Sequence, residues 1–473
     1  MLRAGIDGKQ TQSTTQNIKT SSSAMQSKPF TVIIIGGGPV GLTAAHALRL
    51  ANIDFVLLEQ RGSIVQDVGS SLILFVSSLR IIHQLGVLER VLPKGAELEN
   101  KQKLTSDGIK IQQSNPSKFD KKFFGAGPHA FHRADLVEAL LDSMPTRQRP
   151  NILTGKKVTD IIQTCEGVQV HCADNTVYDG SIVIGADGVN SLVRRTMRRI
   201  VLESDPFADW DPEQPYLSTY RCMWGSFPSS VPGRLYETYN KDQSTTLITG
   251  QDRDWVFLYE KLPEPTSQPV RYTGEEAETY AKKFSEFPVD ANRKFKDILP
   301  HKMTLGMGNL EEGLVKHWSH GRLVLVGDAC HKHTPNAGLG YNNGIQDVVV
   351  LCNSLHNAVA SATDGIPNAT SLQDAFYAYQ NARYPKAAAH TTISASMIRQ
   401  QTWATKFYYF LSRFIMTLGF VEYMIMAWVV PRDVKGYAVL QYAPAEEYYR
   451  GTIAWDHPFP QTDKERSTLS KSS

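Results

Sequence analysis

The first structured pattern in the chain begins at Phe30. Thr31 to Ile35 (TVIII) is apolar at every position after the first and rich in β-branched residues, as in a strand buried on both faces. Glycines follow at once, then Leu42, Ala45, Leu48 and Leu50 at helical spacing, then a second apolar run, FVLLE (Phe55 to Glu59). Strand, helix and strand within about 30 residues predict a β-α-β unit. Two runs of the same type come much later, SIVIGADG (Ser181 to Gly188) and RLVLVGD (Arg322 to Asp328), each ending in Gly with Asp beside it. Their separation predicts one sheet assembled from distant pieces. Between them, alternating and aromatic-rich runs (YLSTYRCMWGSF, TTLITG, WVFLYE) with prolines and glycines suit a twisted antiparallel sheet. An α/β fold with an inserted sheet domain follows.

The C-terminal part reads as helical. Val348, Leu351, Leu355 and Val359 predict a long helix from about Ile345, and a second is expected through Phe376, Tyr379 and Arg383 to the breaker Pro385. Phe407 to Val430 then carries 19 apolar residues in 24, interrupted by Arg413 and Glu422. Such a length could cross a bilayer core of about 30 Å, but each charge near its middle costs roughly 2.5 to 3.5 kcal/mol on insertion scales. Three readings stay open: helices packed on the body, a membrane span, or two shorter helices broken near Gly419 that lie on a membrane surface. The expected divisions are a disordered tail over 1–28, a discontinuous nucleotide-binding domain over 29–200 and 311–400, a substrate domain over 201–310, and an apolar helical region over 401–473.

Composition removes several functions. Lys+Arg of 50 against Asp+Glu of 47 gives +3, but residues 1–28 hold four basic residues and one acid, leaving 46 against 46. No basic stripe is left for nucleic acid. The five cysteines (Cys165, Cys172, Cys222, Cys330, Cys352) are scattered and lack C-x-x-C spacing, which fits a reducing, intracellular compartment without structural zinc. Residues 1–28 are rich in Ser, Thr, Gln and Lys and carry no apolar run of secretory length.

The chemistry lies in three motifs. In GGGPVG, Gly36, Gly38 and Gly41 stand in G-x-G-x-x-G register between a strand and a helix. There the first glycine permits the turn, the second admits a pyrophosphate and the third lets helix and strand pack closely. Glu59 ends the second strand, where a carboxylate accepts from a ribose diol. The other two are GADGVNSLVR (Gly185 to Arg194) and GDACHKHTPNAGLGYNNGIQD (Gly327 to Asp347), each ending a strand in an acidic turn and opening a helix.

Together, in this order and spacing, the motifs resemble the aromatic-hydroxylase class of FAD-dependent monooxygenases over about Phe30 to Pro385. That resemblance implies a Rossmann-like FAD-binding domain, with FAD as cofactor and NAD(P)H and O2 as co-substrates. Gly327 and Asp328 would hold the ribityl chain. Gly338, Gly340 and Tyr341 would place a helix N-terminus beside the flavin ring. Asp187 and Gly188 would lie near the pyrophosphate, Arg133 of HRADLVEAL would face the FAD, and Ile73 would meet it through its backbone. Gly69 to Val91 and Lys332 to Leu355 look like the paxilline-type epoxidases of fungal meroterpenoid and prenyl-indole pathways. The chain departs from them at Ile73, Tyr341 and Gln346, where the family often has Gly, a small residue and Glu.

For the substrate side, YRCMWG (Tyr220 to Gly225) matches the strand where related hydroxylases place an active-site arginine or tyrosine, so Arg221 and then Tyr220 are the catalytic candidates. Adjacent strand residues point to opposite faces, so only one can face substrate, and a surface Arg beside a core Tyr is the alternative. His331 and His333 form a His-x-His pair, by itself a poor metal site, and read as loop histidines and no metal ligand. The expected reaction is epoxidation of the prenyl alkene of a small lipophilic precursor, at an endoplasmic-reticulum surface if the apolar region meets lipid. The alternatives are hydroxylation or oxidative dearomatisation of a phenolic polyketide, and a flavin-binding reductase or non-catalytic flavoprotein.

Overall fold

The computed structural model describes residues 29–67 and 69–461; the tail expected over 1–28 lies outside them. The apolar runs do form one sheet. Its order is Ser319–His320, Leu323–Leu325, Ile182–Gly185, Thr31–Ile35, Asp54–Leu58 and Ile152–Leu153, parallel except at the Ser319–His320 edge. Ile34 lies between Ile184 and Leu57 in register, all three fully buried. Apolar side chains on both faces of the central strands are what a sheet covered on both sides requires. Helix Pro39–Leu50 follows the first strand, as the glycine pattern predicts.

The second sheet has eight strands and is the substrate-side element. Its order is His331–Lys332, Thr304–Leu314, Leu217–Pro228, Arg253–Thr266, Gln243–Thr249, Arg234–Tyr239, Asn100–Thr105 and Lys110–Ser114. All neighbours are antiparallel except Arg234–Tyr239 with Asn100–Thr105. The sheet therefore draws on 100–114, outside 201–310, and continues past 310. Side-chain alternation gives it two buried faces. Tyr220, Cys222, Trp255, Phe257 and Tyr259 share one with Ile398; Met223, Phe227, Val256 and Leu258 share the other with Tyr280, Phe284 and Phe295.

Two C-terminal expectations change. The first helix starts at Leu339, ahead of Ile345, and the second runs over Ala369–Gln401 straight through Pro385. Proline there removes one backbone hydrogen bond and costs about 3 kcal/mol in an isolated helix. Burial of Phe376, Tyr379 and Ala387 offsets this, each large side chain contributing about 1.5 to 3 kcal/mol, and Arg383 is anchored on Asp347 at 2.9 Å.

Of the three readings of the apolar region, the break near Gly419 is the one whose helix geometry is present. Lys406–Ile415 and Gly419–Val434 meet at 89°, and among the described residues no single helix is long and apolar enough to cross a membrane. After Val434 the chain returns over the body as a strap. Gln84 donates to the Leu440 carbonyl at 2.7 Å and accepts from its N–H at 2.9 Å, and Arg80 meets Glu447 at 2.6 Å beneath the Trp455 ring. Gln346 gives the departure from Glu a physical reason. Its amide donates to the Ala438 carbonyl and accepts from the Ala438 N–H, which a carboxylate cannot do.

Candidate active site

The glycine motif is fixed by its backbone. Gly36 has φ +109°, and a Cβ on it would strike the Ala186 carbonyl; a Cβ on Gly41 would strike the Gly36 carbonyl. Gly38 caps helix Pro39–Leu50, and beyond it the first neighbour a Cβ would meet is Arg133 Nη2 at 3.9 Å. The helix N-terminus is thus open on the side where a pyrophosphate belongs. Glu59 is buried at the end of its strand and accepts from the N–H groups of Gly37 (2.8 Å) and Arg61 (2.9 Å), which ties the glycine turn to the second strand.

A cavity of about 520 Å³ opens between this edge and the eight-stranded sheet. On the nucleotide side it is lined by Gly38, Ile73, Arg133, Gly188, Asp328, Gly338, Gly340 and Tyr341, all expected site residues. Gly188 and Gly340 have nothing within 4 Å of where a Cβ would stand. Gly338, at φ +64°, turns the chain into helix Leu339–Ser361, and Asn342 pins that start by donating to the Ile73 carbonyl at 2.7 Å while accepting from the Phe75 N–H. Ile73 lines the cavity while its carbonyl is engaged by Asn342. Tyr341, in place of a small residue, bonds Thr43 through its hydroxyl at 2.8 Å, and burial pushes that phenol up.

Charge follows the same wall. Arg133 opens helix Arg133–Asp142 and makes no ion pair among the described residues. Burial and Arg61 pull its pKa down, opposed by Asp328 and Glu59, but it remains a cation, suited to an anionic diphosphate. Asp328 pairs with Lys332 at the cavity edge. A glycine cradle, two open helix starts, a free guanidinium and two strand-end carboxylates fit FAD.

Other expected residues take supporting positions. Gly327, at φ +64°, donates its N–H to Asp347 at 3.0 Å. Asp187 accepts from the N–H groups of Leu192 (2.7 Å) and Val193 (3.1 Å), so its carboxylate caps helix Leu192–Ser204 outside the cavity lining, and burial raises its pKa. His331, expected as a loop histidine, lies 2.6 Å from Asp347, which also holds Arg383. Burial would raise the Asp347 carboxyl, but His331 and Arg383 hold it well below the usual range. Cys330 lies within 4.8 Å of this pair, yet burial and Asp347 push its thiol far up, and the carboxylate oxygens are already engaged. The cluster is a structural hub. His333 reaches the cavity, held neutral by burial and by His331 and His390.

The substrate-side expectation is corrected. Arg221 lies on the sheet face away from the cavity, its Nε 2.8 Å from Glu260 and its guanidinium over the Tyr280 ring. Tyr220 shares the parity of Cys222 and Trp224, which line the cavity, but its hydroxyl is buried against Thr402 at 3.0 Å. The sheet wall is formed instead by Cys222, Trp224, Leu235, Glu237, Thr246, Ile248, Phe257 and Tyr259.

Comparison with known proteins agrees with this geometry. The model of the family described as FAD binding domain matches residues 29–214 and 232–371. The FAD-dependent monooxygenase ausM of Penicillium brasilianum is 32% identical over 363 residues, covering 75% of this chain and 76% of that protein. The FAD-dependent monooxygenase DEP2 of Alternaria brassicicola is 31% identical over 450 residues, covering 90% and 81%. Among solved structures, HpxO of Klebsiella pneumoniae complexed with FAD and uric acid superposes with TM-score 0.66 at 20% identity, covering 85% of this chain and 97% of that one. The chain belongs to the FAD binding domain family and is an FAD-dependent monooxygenase.

Proposed function

We propose that this monooxygenase epoxidises the prenyl alkene of a lipophilic, meroterpenoid-type precursor in fungal secondary metabolism, in the manner of the paxilline-type epoxidases it resembles. The observation that carries the reading is the cavity: a cofactor wall of glycines faces a wall of Trp224, Leu235, Ile248, Phe257 and Tyr259. FAD, reduced by NAD(P)H, supplies O2 activation, with one oxygen atom going to the substrate and the other leaving as water. The chain's own groups bind and orient. Arg133 and the two helix starts hold the diphosphate and flavin ends, Glu59 and Asp328 the hydroxyls, and the aromatic wall keeps water from the reacting alkene. The test is mass spectrometry of the product formed from a prenylated aromatic under 18O2. One labelled oxygen in an epoxide is expected, with NAD(P)H oxidation stimulated by the substrate. A ring-hydroxylated product would shift the reading to aromatic hydroxylation.

We also propose that the bent pair Lys406–Ile415 and Gly419–Val434 rests in one leaflet of an intracellular membrane, such as the endoplasmic reticulum. Phe407, Phe420 and Trp428 are 66%, 67% and 53% exposed, with Phe410, Phe414 and Val429 beside them. The charges turn toward the body: Glu422 accepts from Gln112 at 2.9 Å, and Arg413 acts on Asp107. Cutting the chain before Phe407 would also remove the strap, so the suitable variant replaces Phe407, Phe420 and Trp428 with Ser. The parent protein is expected to float with liposomes and the triple variant to stay in the aqueous fraction. A parent that does not float leaves these helices as ordinary packing.

A further inference from the structure

The aromatic wall contains a deeply buried ionised group that its apolar surroundings do not require. Glu237 is 2% exposed and lines the cavity. Its Oε1 lies 2.8 Å from Lys101 Nζ, and its Oε2 accepts from the Tyr239 hydroxyl at 2.9 Å. Burial alone would raise the carboxyl, but Lys101 and Lys103 hold it below its ordinary value, so it is a carboxylate. Lys103 stands beside it in register on the parallel strand. A buried ion pair gives little stability over a well-packed apolar pair, so stability does not explain its place here. Two donors also leave part of a carboxylate's acceptor capacity unused.

Directly across the antiparallel ladder from Glu237 is Thr246, which lines the same cavity. Its hydroxyl is closed off from the cavity and turned toward Tyr259. Glu237 is thus the buried carboxylate of this face, set in the cavity lining amid Leu235, Ile248 and Phe257.

We propose that Glu237 is a polar anchor that recognises a free hydroxyl group on the otherwise apolar substrate. This rests on the reading of the cavity as the substrate site. A hydroxyl meets the spare acceptor capacity of the carboxylate by donating to it. An ether cannot donate, and a carboxylate would be repelled by Glu237. The anchor holds one end of the substrate against the sheet and so fixes which carbon lies toward the flavin side. Glu237 is a positioning residue.

The test uses the FAD-loaded full chain and two probes, a geranylated phenol and its methyl ether, with binding read from perturbation of the flavin absorbance. The phenol is expected to bind tighter than the ether by on the order of tenfold to a hundredfold, the range of a hydrogen bond to a charged acceptor. Glu237→Gln, which keeps the shape of the side chain, should bring the ratio close to one while FAD content and ether affinity hold. Thr246→Val should leave the ratio unchanged, because its hydroxyl turns to Tyr259 and not to the cavity. A phenol-to-ether ratio unchanged in Glu237→Gln overturns the anchor while leaving the cavity reading intact. If neither probe perturbs the flavin of the parent protein, the cavity reading fails and takes the anchor with it.

Discussion

The two walls of the cavity are built on opposite principles. The cofactor wall is largely backbone: Gly38, Gly188, Gly338 and Gly340 present peptide groups at turns and helix starts, and behind them Gly36 and Gly41 pack too closely for a side chain. The substrate wall is side chain: Trp224, Ile248, Phe257 and Tyr259 project from a sheet whose backbone is satisfied by its own ladder. The close-packed glycine turn at Gly36 and Gly41 tolerates almost no substitution. A side-chain wall can be re-faced residue by residue without disturbing the strands, so specificity can drift there while the cofactor stays the same.

Substitution tests that contrast most strongly on the cofactor wall. Gly41→Val puts its Cβ into the Gly36 carbonyl, so neither the turn nor the helix start survives. The expected outcome is colourless, poorly folded protein, checked by flavin content and thermal unfolding. Glu59→Ala removes the acceptor for the Gly37 N–H as well as for a ribose. FAD affinity should fall by more than about tenfold, given about 1.5 to 3 kcal/mol for a hydrogen bond to a charged group. Flavin occupancy after gel filtration measures it. Asp328→Ala strips a hydroxyl-binding carboxylate and leaves Lys332 unpaired at the cavity edge. A loss of about tenfold in FAD affinity is expected, read by fluorescence titration of the apoprotein.

The smallest effect is predicted on the sheet, and it separates the two faces. Arg221→Gln should leave FAD content and the coupling of NAD(P)H oxidation to product unchanged, and lower stability by no more than about 1 kcal/mol, because the pair with Glu260 is partly exposed. Uncoupling toward hydrogen peroxide in this variant would return Arg221 to the site. Together with Glu237→Gln, this substitution shows whether parity along the strands decides which residues meet substrate.

The same contrast explains what could be read from the chain. The nucleotide sheet and its glycines are legible because strand, turn and helix are adjacent in sequence and the steric demand admits only glycine. Pro385 misled because propensity weighs a residue alone, whereas Phe376, Tyr379 and Arg383 secure that helix from outside. Arg221 misled for a different reason. Both faces of its strand are covered, so alternation says that neighbours part but not which one turns to the cavity. Glu237 gave no signal, since its partner Lys101 lies far earlier in the chain and reaches it only through the one parallel pairing of that sheet.

That parallel pairing bears on how such enzymes can be recombined. The eight-stranded sheet is not a cassette bounded by 201 and 310, because its Asn100–Thr105 and Lys110–Ser114 strands sit at one end and His331–Lys332 at the other. Grafting only the central stretch from a relative would set a foreign edge strand against a native hairpin and split the Lys101–Glu237 pair between two parents. Exchanging substrate preference by module therefore means moving three separate stretches of chain together, and evolution by recombination at this fold faces the same constraint. Change by single substitutions on the cavity face meets no such barrier.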